Sequence, residues 1–168
     1  PSPRHRHRAC ASCRRRTAFH EAGHALISWL EPHAKAPSRV SIVPTSSGAL
    51  GANIYTPDDT RTMTKKQVEA FLCTICGGRA AEMLIFDGDI SSGSADDIEK
   101  ATKLAYAYVT QLGFSKEIGP MNMKMRNEES VELFSKYMLE KADKAIAELI
   151  QKAQDRAFRL LNENKGLL

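Results

Sequence analysis

Thr17 to Leu30 reads TAFHEAGHALISWL, apolar at helical spacing and followed by Pro32, which disfavours helical geometry in the residue before it. The stretch is therefore read as a helix, and its chemistry is concentrated in His20-Glu21-Ala22-Gly23-His24. Residues four apart on a helix stand one turn above each other, so the two imidazoles can bind one ion at about 2.0 to 2.1 Å each. A zinc ion held this way acidifies a water to a pKa of about 7. Glu21 is then the residue to take the proton as a peptide carbonyl is attacked, and to return it to the leaving amine. The alternative is a solvated helix face that carries these residues by chance. The motif falls on a predicted helix, as its mechanism requires, and this favours the metal.

Outward from that helix the pattern remains mainly α, with a minor β element. Arg39 to Tyr55 alternates, with β-branched residues on either side of a Ser/Gly-rich centre, and predicts two short strands joined by a loop. Thr64 to Leu84 predicts a second helix from Val68, Phe71, Leu72 and Ile75; Gly77 and Gly78 inside it imply close packing, because glycine costs about 1 kcal/mol there relative to alanine. A Gly/Ser/Asp-rich loop leads into a third helix over Ala95 to Leu112, with Ile98, Ala101, Thr102, Ala105, Tyr108, Val109 and Leu112 on one stripe and Gly113 as its stop. Asn127 to Asn164 predicts one long helix or two, with Val131, Phe134, Met138, Ala142, Ala145, Ile146, Leu149, Ala153, Ala157 and Leu161 inward. The expected class is mainly α (α+β): a helical zinc-peptidase domain with a small sheet or hairpin and a long C-terminal helical segment.

A catalytic zinc has three protein ligands and an open fourth position. The metzincin continuation needs Gly and His where this chain has Ile27 and Leu30, which excludes that class. His33 lies past the helix beside Pro32 and does not share its face. Two acids remain. Asp97 aligns with Ala101, Leu104 and Tyr108 at the edge of the third helix's apolar stripe, whereas Asp96 and Glu99 align with Lys100 and Lys103 on its polar side. Ser94 to Asp97 also fits the S-x-x-[DE] cap, so Asp97 has a purely structural reading as well. Glu82 shares a face with Phe71, Ile75 and Gly78 and is the rival ligand, an ion-pair partner of Arg79, or an outer residue that orients a zinc-bound histidine. Spacing alone leaves these readings open.

The 168 residues, 42% hydrophobic and 26% charged, suffice for one globular core. The formal charge is +4, but residues 1–16 hold six arginines and no acid, which leaves 18 basic against 20 acidic side chains elsewhere. The basicity thus belongs to PSPRHRHRACASCRRR, read as a targeting tail or an expression scar outside the fold, and no broad basic face remains to recruit nucleic acid. No apolar run approaches the roughly 18 to 20 residues of a membrane-spanning helix. Cys10, Cys13, Cys73 and Cys76 form two C-x-x-C pairs, a four-thiolate zinc pattern on paper. The second pair sits in a helical pattern and reads as small core residues, and a chain of this size needs no disulfide staples. No P-loop pattern, G-x-x-x-x-G-K-[ST], occurs.

TAFHEAGHALISWL, SRVSIVP followed by GALG, CGGRAAEMLIF, SSGSADDIEKATKLAY and LGFSKEIGP occur in the order in which such segments occur in the peptidase domain of FtsH-type AAA zinc metalloproteases. The chain resembles that family over Thr17 to Pro120, and more loosely through its final helices, so residues 17–168 read as one FtsH-like peptidase domain whose C-terminal helical part is 127–164. The resemblance implies zinc held by His20, His24 and Asp97, with Glu21 catalytic and Glu82 outside the ligand set or its rival. It further implies an endopeptidase for unfolded or membrane-extracted proteins, a homo- or hetero-hexamer, and an AAA ATPase acting in cis or in trans. The implied setting is membrane-associated, in a mitochondrion, chloroplast or bacterium. Ala49 to Tyr55 is then a sheet edge on which an extended substrate can pair. The competing expectations are an inactive scaffold subunit of the same fold, or a zinc- or nucleic-acid-binding module built on the Cys/Arg tail.

Overall fold

The computed structural model describes residues 11–43, 51–55, 62–123 and 134–168. Within these, helix α1 spans Ala11–Leu30, strands β1 and β2 are Arg39–Ser41 and Ala52–Ile54, and helices α2, α3 and α4 are Lys65–Ile85, Ala95–Thr110 and Lys136–Glu163. Short 3-10 turns precede α3 at Ser92–Ser94 and follow α4 at Lys165–Leu167. The mainly α class with a small sheet is therefore correct. The expected strand loop over 44–50 and residues 124–133 between α3 and α4 lie outside the described residues, as do Cys10 and Val131.

Helix α2 is central and packs against α1, α3 and α4. Its sequence explains this: apolar or small residues surround it, and Val68, Leu72, Cys73, Ile75, Cys76, Ala80, Ala81 and Leu84 are all buried, as expected of a helix enclosed on several sides. Thr64 fixes its start in a reciprocal capping box, its hydroxyl accepting from the Gln67 N–H while the Gln67 side chain accepts from the Thr64 N–H. Helix α4 is instead amphipathic. It meets the core through Ala153, Ala157 and Leu161, with Ile146 and Leu149 at the margin. The alanines on this face let α4 come close to α2, while Ile27, Leu72 and Leu161, each fully enclosed, contribute roughly 1.5 to 3 kcal/mol apiece by burial.

Helices α1 and α2 approach backbone to backbone at Gly23 and Gly77. A Cβ on Gly23 would meet the Gly77 carbonyl oxygen at 2.4 Å, and one on Gly77 would meet the Gly23 carbonyl oxygen at 2.8 Å. The mid-helix glycines thus mark a backbone-on-backbone crossing, which brings the His20/His24 face of α1 onto α2. Strands β1 and β2 pair antiparallel, Val40 opposite Asn53, and lie against α1.

Three details differ from the sequence reading. Helix α1 begins at Ala11 rather than Thr17, because arginine is a good helix former and Arg16 is anchored by Glu82 and Asp89. On α3, Ile98 and Thr102 are exposed, as is Leu112 beyond the helix end, and the inward arc is Asp97, Ala101, Leu104, Ala105, Tyr108 and Val109. The stripe therefore turns toward Asp97. Helix α4 begins at Lys136, where the Ser135 hydroxyl caps the Met138 N–H, and Phe134 lies before it.

Gly23→Ala or Gly77→Ala would ordinarily strengthen a helix by about 1 kcal/mol. Here each is expected to lower stability by about 1 to 3 kcal/mol, because the added methyl group meets backbone that cannot yield. Urea unfolding followed by circular dichroism measures this, and an unchanged or raised midpoint would contradict the crossing.

Candidate metal centre and catalytic cleft

Helix α1 carries His20 and His24 one turn apart, and α2 fixes the orientation of both rings. His20 donates its Nδ1–H to Glu82 Oε1 at 2.9 Å, and His24 donates its Nδ1–H to the Thr74 carbonyl at 2.8 Å. The Gly78 N–H also lies 3.3 Å from His24 Nδ1; the shorter contact to a carbonyl requires the proton on that nitrogen, so the Gly78 contact is not a hydrogen bond. Both rings therefore turn an Nε2 lone pair inward. Asp97, in the first turn of α3, brings Oδ2 to 3.0 Å from His20 Nε2 and 3.1 Å from His24 Nε2, and the two Nε2 atoms are 3.1 Å apart.

With both rings neutral, this triangle is three lone-pair acceptors facing one another without a proton to share, an arrangement that requires a cation. Its edges approach the roughly 3.3 Å expected between donors about 2.0 to 2.1 Å from a tetrahedral zinc. Two imidazoles and one carboxylate fit a zinc site that keeps a fourth position open. Gly78 is part of the fit, since a Cβ there would lie 2.5 Å from the Nε2 atoms of both histidines.

Electrostatics points the same way. Burial alone would lower the His20 pKa, but hydrogen bonds to Asp97 and Glu82 hold it above its usual value. Burial alone would raise Asp97, yet its bonds to His20 and His24 hold it well below the carboxylate range. Glu82 is likewise held low despite burial, by Arg16, His20 and Ser91. The pocket is thus built to keep its carboxylates ionised and to attract positive charge, whether a proton or a metal ion.

Glu21 lies beside the triangle, buried, and strand β2 holds it from the other side. Asn53 Nδ2 donates to Glu21 Oε2 at 2.7 Å and to the Glu21 carbonyl at 3.1 Å, while Asn53 Oδ1 is buried without a hydrogen-bond partner among the described residues. Gly51 leaves room for the carboxylate, since a Cβ there would lie 2.6 Å from Glu21 Oε1. Triangle and carboxylate open into a cleft of about 1130 Å³ whose walls include Tyr55, Phe71 and Phe86. The Tyr55 hydroxyl meets the Ser28 hydroxyl at 3.3 Å.

His20, Glu21, His24 and Asp97 are thus brought together. Glu82 stands behind His20, outside the triangle, and its ion pair runs to Arg16 at 3.0 Å rather than to Arg79. Ser94 makes no side-chain cap bond, so no capping box forms with Asp97, although Asp97 does stand as an acid in the first turn of α3. His33 is exposed in the turn after α1. Cys73 and Cys76 are buried in the core, where burial pushes the Cys73 thiol up and Cys76 up to about 12, while Cys13 is exposed, and among the described residues no cysteine joins a group that could hold a metal. Arg16 and Asn53 escape the sequence reading. Arg16 had a signal, lying four residues before His20 on the same helical face; Asn53 is a polar residue in a short strand, and nothing local says what it faces.

The shifts give a pH signature for the metal-free chain. Asp97 sits below its ordinary 3.8, so its stabilisation is full above that pH and is lost as pH falls through the folded value. His20 sits above its ordinary 6.5, so its stabilisation is full below that pH and is lost as pH rises through the folded value. The cluster therefore stabilises the chelator-treated chain most between about pH 4 and 6.5, and Asp97→Asn is expected to flatten both limbs. Superimposable parent and variant profiles of denaturation midpoint against pH would refute the assignment.

A family pattern described as Peptidase family M41 matches residues 9–168. The chain is 39% identical over 152 residues to the ATP-dependent zinc metalloprotease FTSH 10, mitochondrial, of Arabidopsis thaliana, an alignment covering 90% of this chain and 19% of the relative. It is 40% identical over 151 residues to the ATP-dependent zinc metalloprotease FtsH of Parabacteroides distasonis, covering 88% and 22%. To FtsH of Buchnera aphidicola it is 37% identical over 165 residues, covering 90% and 26%. The chain thus spans about a fifth to a quarter of the length of these relatives. The resemblance to the FtsH-type proteases holds, and a family pattern that runs through α1, α2 and the start of α3, where the four side chains meet, makes this chain a member of peptidase family M41.

Proposed function

We propose that this chain is the zinc-dependent endopeptidase part of an ATP-driven assembly that hydrolyses unfolded or membrane-extracted proteins. The observation that carries this reading is the convergence of His20 Nε2, His24 Nε2 and Asp97 Oδ2 within 3.0 to 3.1 Å of one another, with the Glu21 carboxylate beside them in an open cleft. His20, His24 and Asp97 would hold the ion, which supplies the Lewis acidity that activates water and polarises the scissile carbonyl. Glu21 accepts the proton of the attacking water and delivers it to the departing amine, while Asn53 keeps one carboxylate oxygen engaged and so fixes the direction of the other. Glu82 and the Thr74 carbonyl hold the two rings in the tautomer that leaves each Nε2 free.

Strand β2 borders the cleft, and its backbone offers an edge for an extended substrate, which suits a peptidase that reads chain rather than sequence. Ala49 and Leu50, the start of that expected edge, lie outside the described residues. An ATPase acting in cis or in trans fits the relatives' description as ATP-dependent zinc metalloproteases, and a hexameric ring is the assembly that the family resemblance implies. A mitochondrial or bacterial membrane setting is the corresponding reading of location; among the described residues no helix is long and apolar enough to cross a membrane.

Zinc content and cleavage of an unfolded polypeptide, measured on the chain joined to or mixed with its ATPase partner, test the reading. Glu21→Gln is expected to retain zinc and to lower cleavage by roughly 10² to 10⁴, whereas Asp97→Ala is expected to lose zinc and activity together. Normal cleavage by Glu21→Gln would remove the proposed base.

A further inference from the structure

The sequence assigns Arg16 to a basic tail, yet the structure places it behind Glu82, the carboxylate that backs His20 of the metal triangle. Its guanidinium donates through Nη1 to Glu82 Oε2 at 3.0 Å and to the Asp89 carbonyl at 2.5 Å, and through Nη2 to Asp89 Oδ2 at 2.6 Å. It also lies over the Phe86 ring, 4.2 Å from the centroid. One side chain of α1 is thereby bolted to the end of α2 and to the loop beyond it.

Glu82 is 1% exposed and its two oxygens accept four hydrogen bonds. Oε1 takes the His20 Nδ1–H and the Ser91 hydroxyl; Oε2 takes Arg16 Nη1–H and the Ser91 N–H. When His20 is neutral, as a metal-binding imidazole must be, Arg16 is the one permanent positive charge among these four partners. A buried carboxylate without such a partner is costly, and a planar fork holds two acceptors at fixed angles in a way that a lysine cannot.

We infer that Arg16 is a positioning residue for the metal site: it fixes the Glu82 carboxylate, which in turn fixes the His20 ring so that Nε2 faces the ion. This rests on the proposed metal reading. Arg16 touches none of the three donor atoms, so its influence must pass through Glu82. Removing an outer partner of a metal-bound histidine typically weakens metal binding about 10- to 100-fold, and the same is expected here.

The test is zinc affinity by chelator competition, with the visible spectrum of the cobalt(II)-substituted 168-residue chain as a second readout of ligand geometry. Arg16→Gln is expected to weaken zinc binding about 10- to 100-fold and to perturb the cobalt bands, with Arg16→Lys intermediate. In a Glu82→Gln background, Arg16→Gln should add little. Unchanged affinity in Arg16→Gln, or an equal loss with and without Glu82, overturns the inference. If Arg16→Gln does not fold, Arg16→Lys is compared across the same two backgrounds. If the parent takes up no zinc, the metal reading falls, but the nitrogen-15 shifts of His20 in the metal-free chain, read at a pH where those shifts themselves report a neutral ring, still test the Arg16 link: Arg16→Gln should release the Nδ1–H tautomer, and unchanged shifts overturn the link.

Discussion

The structure depends on two helices touching where neither has a side chain. Gly23 and Gly77 bring the backbones of α1 and α2 together, and every later feature of the site uses that proximity. Because α1 lies so close, Thr74 can accept from one histidine through its carbonyl and Glu82 can reach the other with its carboxylate. Because Gly78 follows, there is space in front of the two rings for Asp97 and an ion. A Cβ at Gly23 or Gly77 would press on the backbone of the facing helix, and one at Gly78 would displace the ring nitrogens themselves.

The polar groups around this crossing form layers. The inner layer is three acceptors that repel one another until a cation joins them. The next layer, Glu82 and Thr74, already engages the two rings, and Asn53 engages Glu21 beside them. Orientation of the inner groups is thus decided by the folded chain before any ion arrives, which limits the reorganisation that binding requires.

How much was legible in the sequence follows from the range of each interaction. The histidine pair and Glu21 are local, lying within one turn and a half of helix, and their pattern is readable without a fold. The inward direction of Asp97 was readable from helical phase, although Ile98 and Leu112 were wrongly assigned to the same stripe; a period of 3.6 residues tolerates such errors at the edge of an arc. Whether Asp97 or Glu82 met the histidines was a tertiary question, and phase alone left it open. The helix limit at Thr17 was misplaced because a run of arginines without acids looks like a solvated tail until its partners Glu82 and Asp89, far along the chain, come into view. Asn53 was hidden for the same reason, since a strand three residues long gives no periodicity from which to read a direction.

The attachment of Glu21 to Asn53 separates two properties that are usually measured together. The three donors of the triangle come from α1 and α3 and are steadied by α2, whereas the carboxylate beside them is steadied by β2, a strand whose only described strand partner is three residues long. Metal occupancy and chemical competence therefore rest on different parts of the chain. A preparation in which the small sheet has come loose would carry a full complement of metal and still contain few working molecules, so stoichiometric metal is no measure of the active fraction.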